Sequence, residues 1–134
     1  MTMSTASRTA YLGMIRLQRL AKARHEMELS RLSAQFSTIE DENNALFKMQ
    51  NERFGDNATF VPVHVIMKRL ETNKTLQGQL SGHIARETRD LLKVSRTLDI
   101  LNGRLGSFER EKLRAEATME MDEYVGHLLA KHSI

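Results

Sequence analysis

The sequence has no cysteine, no tryptophan and a single proline in 134 residues, and aromatic residues make up only 5% of it. Each shortage excludes something. Without cysteine there is no disulfide framework and no thiolate metal site, a composition that suits a reducing compartment. No basic patch is interleaved with aromatics that could stack bases, so nucleic acid is not an expected partner, and the net charge of +3 is spread along the chain. No apolar run approaches the roughly 20 residues a membrane span requires, so membrane insertion is not expected. The seven glycines are scattered and form neither GxGxxG nor a phosphate-binding loop.

Catalytic constellations are equally scarce. There is no HExxH. His25 and Glu28 lie on adjacent helical turns, and Glu123 and His127 are four apart, but two ordinary ligands do not make a metal site. Asp41-Glu42 and Asp122-Glu123 pair carboxylates without a concavity to raise a pKa. The expectation is a protein with no catalytic residue, no cofactor and no metal.

The residues that are plentiful form helices: Leu, Met, Ala, Arg, Lys, Glu and Gln dominate, and 28% of residues are charged. The one interruption is "ERFGDNATFVPVHV". Gly55 can take the left-handed conformation that closes a helix, and Asp56 and Asn57 favour local turns. Thr59 can cap the next helix, and Pro62 is tolerated only near a first turn, where its missing N–H is not needed. The pattern predicts a helix over 8–54, a turn over 55–62 and a helix over 63–131, roughly 70 and 100 Å long at 1.5 Å per residue.

The second segment keeps one heptad frame throughout. Val63, Leu70, Gln77, Ile84, Leu91, Leu98 and Leu105 hold one phase; Ile66, Asn73, Leu80, Glu87, Val94, Leu101 and Phe108 hold the other. In the first segment Leu29, Leu32, Phe36, Ile39, Asn43 and Leu46 alternate by three and four. Folding at the turn brings Leu46 to Leu70, Phe36 to Leu80 and Leu32 to Ile84, and sets Asn43 against Asn73 as a polar layer that fixes register. The fold expected is all-α: one elongated, antiparallel two-helix coiled-coil hairpin with the second helix longer than the first.

Two ends of the seam stay open. Strictly continued, the frame puts Gln18, Lys22 and His25 on the seam and leaves Met14, Leu17 and Ala21 off it. Either a four-residue stutter near His25 turns the second set inward, or that set meets another molecule. Beyond about Glu109 the second helix outruns the first, leaving Met119, Met121, Tyr124, Leu128 and Leu129 uncovered. The first 25 residues carry Arg8, Arg16, Arg19, Lys22 and Arg24 and no acid. That is also the composition of an organellar presequence, an alternative to reading them as the start of the helix. Arg8, Arg16, Leu17, Arg19, Met119, Met121, Tyr124 and Leu128 are the candidate partner-binding residues, and Asn43, Gly55, Pro62 and Asn73 set register and turn.

The chain resembles the FliJ/YscO family of flagellar and type III export proteins. The likeness lies in its size, its shorter first helix, "ENNALFKMQNERF" ending that helix, "VIMKRLETNKTLQGQL" opening the second and "MEMDEYVGHLLAKH" near the end. The resemblance implies a cytoplasmic stalk whose open end enters a hexameric export ATPase, with other faces on the export gate's cytoplasmic domain and on chaperones. Residues 8–24 and 109–131 would face the ring, and the isolated chain would be a monomer or self-associate weakly. The alternative is a generic coiled-coil adaptor or a self-associating helical bundle.

Overall fold

In a computed structural model the chain forms two helices, α1 (Thr5–Glu52) and α2 (Val63–His132), of 48 and 70 residues. The structure describes residues 5–52 and 61–132. The fold is an all-α antiparallel hairpin whose second helix is the longer. The expected end of the first helix at Phe54, the closing Gly55 and the capping Thr59 lie outside the described residues. Pro62 itself stands at the cap of α2. Its carbonyl accepts from the backbone N–H of Val65 at 3.1 Å and of Ile66 at 3.3 Å. Proline fits there because that position needs a carbonyl acceptor and no N–H donor.

The chain divides into two compact units, Met1–Ala21 with Val94–Ile134, and Lys22–Lys93. In the second unit the expected seam is present. Leu32 and Ile66 are buried, and Phe36, Ile39, Leu46, Leu70, Leu80, Ile84 and Leu91 are half-buried between the helices. The asparagine layer forms as expected. Asn73, fully buried, donates its Nδ2 to Asn43 Oδ1 at 2.8 Å, and Asn43 donates on to Gln77 Oε1 at 3.3 Å. Beside this layer the Arg69 guanidinium grips the Glu42 carboxylate through both oxygens. A mismatched register would break all three contacts, so the polar layer opposes slippage that a purely apolar seam tolerates.

In the other unit Ile15, Leu98 and Leu101 form a buried cluster flanked by Tyr11, Val94 and Leu105. Phe108 is buried as well, its ring centroid 6.3 Å from that of Tyr11. The stutter is therefore absent. Ile15 is 3% exposed whereas Met14 and Leu17 are 43% and 67% exposed. Tyr11, Ile15 and Gln18 keep the strict heptad frame, and the physical reason lies across the seam. Leu98, Leu101, Leu105 and Phe108 present apolar sockets in unbroken register, and only the strict frame fills them without unwinding α1.

Candidate partner-binding surface

The seam closes at Arg8, whose Nε donates to Glu109 Oε1 at 3.2 Å. From Arg110 to His132 every residue of α2 is exposed. Among them Leu113, Met119, Met121, Tyr124 and Leu129 are each more than 60% exposed, and Leu128 is 40% exposed. At 3.6 residues per turn these apolar residues do not share one face. Met119 and Leu129 continue the line of the seam. Leu113, Ala117, Met121, Tyr124 and Leu128 make a denser row on the opposite side of the helix, spaced by three and four. The overhang thus offers two apolar rows, one continuing the line of the seam and one on the opposite side of the helix. Glu116, Glu120 and Glu123 run along one flank of the denser row.

On α1 the residues left off the seam form a complementary kind of surface. Leu17 and Leu20 are 67% and 59% exposed, with Arg16 and Arg19 exposed beside them. No acidic residue precedes Glu26, so this stretch is basic where the overhang's 115–130 segment carries only acids among its Asp, Glu, Lys and Arg residues. The expected partner-binding residues Arg8, Arg16, Leu17, Arg19, Met119, Met121, Tyr124 and Leu128 are all exposed. Arg8 also pairs with Glu109 at the surface, with half of its side chain in contact with solvent.

Sequence periodicity alone did not reveal two sets of residues. Tyr11 and Ile15 belong to the seam, a role readable only by extending the heptad frame from Leu32 backwards without exception. The other set is polar. His25 Nδ1 lies 2.6 Å from Glu87 Oε2, and Asp90 stands one turn beyond Glu87 on α2. The sequence pairs His25 with Glu28, but Glu28 is taken by Arg31 within α1, at 2.9 Å from Arg31 Nε. That guanidinium holds the Glu28 carboxyl below the usual carboxylate range, chiefly through hydrogen bonding. Glu123 and His127 are both exposed on the overhang.

Two open grooves run along the helices of the unit Lys22–Lys93. The larger, about 1400 Å³, is lined by Asn43, Phe47, Gln50, Val63, Met67 and Lys74 among others. The smaller, about 580 Å³, lies between Leu32, Ile39, Leu76 and Leu80. In the smaller groove Thr38 donates its hydroxyl to the Ala34 carbonyl at 2.9 Å, and His83 Nδ1 faces Arg86 Nη2 at 3.0 Å. Neither side chain is poised to activate the other. No helix among the described residues is long and apolar enough to cross a membrane. No family model, no curated protein and no solved structure matches the chain.

Proposed function

We propose that this chain is a non-enzymatic stalk of a bacterial flagellar or type III export apparatus, acting in the cytoplasm on a hexameric export ATPase. The single observation that carries this reading is the bare end of α2: a helical stretch from Arg110 to His132 with every residue exposed. With no second helix against it this stretch is held by intrinsic propensity alone, and an apolar row on it calls for a partner. The hairpin with a longer second helix, and the resemblance to FliJ/YscO proteins, support a ring as that partner. Insertion of the open end places the acidic 115–130 segment of the overhang and the basic start of α1 in the bore, where they bind the ring and stimulate ATP hydrolysis. The export gate's cytoplasmic domain and export chaperones are the partners of the remaining faces.

The test is to mix the purified chain with its cognate ATPase and monitor hexamer formation and ATP hydrolysis. Stimulation by the full chain is expected, with loss on truncation after Glu109 and a marked loss on charge reversal at Arg16 and Arg19. An unchanged rate and an unchanged oligomeric state would overturn the stalk reading in favour of the adaptor alternative.

A further inference from the structure

We propose that His25, Glu87 and Asp90 form a binding site for a divalent transition cation of the zinc class, held between the two helices of the unit Lys22–Lys93. One donor atom from each of the three residues lies within 4.8 Å of the other two, and His25 Nδ1 is 2.6 Å from Glu87 Oε2. Ligands bound to zinc at about 2.0–2.1 Å in a tetrahedron sit roughly 3.3 Å from each other. Small side-chain rotations therefore convert the present cluster into a coordination shell. The donors are divided as a clamp requires: α1 supplies one imidazole nitrogen, and α2 supplies two carboxylates one turn apart on the same face.

Burial and placement make the cluster more than a chance surface group. The His25 and Glu87 side chains are only 26% and 25% exposed, whereas Asp90 is exposed and leaves room for water to complete the shell. His25 and Glu87 also occupy frame positions that the rest of this seam gives to residues such as Leu32, Phe36, Leu80 and Ile84. An apolar pair there would stabilise the hairpin without desolvating charge. A nitrogen ligand beside two carboxylates gains from that position when a cation binds. The mixed nitrogen and oxygen set selects zinc, cobalt or nickel over magnesium and calcium, which favour all-oxygen shells.

The same two stretches carry Lys22, Arg86, Arg89 and Lys93. Lys22 reaches Glu26 at 4.0 Å, and Arg86 turns to His83. Their positive charge lowers the affinity for a cation. Because the cation touches both helices only when the hairpin is closed, its binding stabilises the closed form by mass action.

Calorimetric titration of the full chain with zinc chloride, paired with thermal unfolding, tests the site. The expected result is one zinc per chain and a rise in Tm of roughly 3–8 °C at saturation. Magnesium should produce no shift. His25→Gln and Asp90→Asn should each weaken binding about tenfold or more, and the exposed Asp90 allows that variant to be made without disturbing the seam. His127→Gln should leave binding unchanged. The site is overturned if millimolar zinc neither binds nor shifts Tm, or if magnesium acts as strongly as zinc. Binding that survives both His25→Gln and Asp90→Asn, or that is lost in His127→Gln, overturns it equally.

Discussion

α2 is a single unbroken helix with two unlike stretches. From Val63 to Glu109 it is covered by α1 along one line, and from Arg110 to His132 it is bare. Both stretches draw on the same residue types, and both carry apolar residues at helical spacing. They differ in whether a second helix removes those residues from water. Burial of Ile66, Leu98, Leu101 and Phe108 supplies the tertiary stabilisation that intrinsic propensity cannot. The overhang has propensity alone. The contrast teaches that helicity in this chain has two different sources: packing in the first stretch, and intrinsic propensity alone in the second.

Truncating a buried seam residue is the harshest way to probe that contrast. Ile66→Ala, at a side chain with 0% exposure, is expected to cost about 2–4 kcal/mol in urea unfolding, from the lost burial of the removed atoms and the void they leave. Leu128→Ala on the overhang should change stability by no more than about 0.5 kcal/mol. Similar losses from the two would mean that the overhang is covered in the isolated chain. Hydrogen exchange sharpens the same point, since amides around Ile66 and Leu101 should be protected and those beyond Arg110 should exchange quickly until a partner is added.

The asparagine layer comes next in size. Asn73 is fully buried and its Oδ1 has no hydrogen-bond partner among the described residues, so the layer is an incompletely satisfied polar site in an apolar seam. Replacing Asn43 and Asn73 together by Leu should raise stability by about 1–3 kcal/mol. The single variant Asn73→Leu leaves Asn43 Oδ1 without its donor and should gain less. The double variant should also relax register, measurable as disulfide crosslinking between cysteine pairs displaced by one heptad. A double variant that gains nothing in stability would show that the layer is fully satisfied in solution.

The same physics decides how far these features were legible from the residues. The hairpin and the Asn43–Asn73 match were legible because one turn aligns two seams that each repeat without a skip. The start of α1 was ambiguous because two apolar rows compete there, Tyr11 with Ile15 and Met14 with Leu17, and both satisfy helical spacing. Only the sockets offered by Leu98, Leu101 and Phe108 decide between them. The His25–Glu87 contact joins residues 62 apart, so no local pattern points to it. It becomes visible once register is fixed and charged groups are found facing one another across the seam.

Glycines offer a gentler probe. A Cβ added at Gly103 or at Gly126 meets no atom within 4 Å, and both lie inside α2 with ordinary helical φ. Alanine at Gly103 should raise global stability by roughly 0.5–1 kcal/mol, since the unfolded chain loses freedom and the folded chain loses nothing. Alanine at Gly126 should increase helical circular dichroism while leaving the main unfolding transition in place. A shift of that transition by Gly126→Ala would place the overhang inside the cooperative unit.

The smallest effect expected concerns acid. Arg69 hydrogen-bonds Glu42 across the hairpin and holds its carboxyl below the usual carboxylate range, opposed by partial desolvation and aided by the Asn73 amide. A carboxyl whose pKa is lower folded than unfolded binds fewer protons in the folded state. Its stabilising contribution is therefore complete above the unfolded-state pKa and disappears as pH falls through the depressed folded-state value. Glu42→Gln should accordingly narrow the difference in stability between neutral and strongly acidic solution, with the two proteins converging at the acid end. If Glu42→Gln leaves that difference as it was, the Arg69–Glu42 pair contributes nothing to the acid sensitivity of the covered stretch, and its place beside the asparagine layer serves register alone.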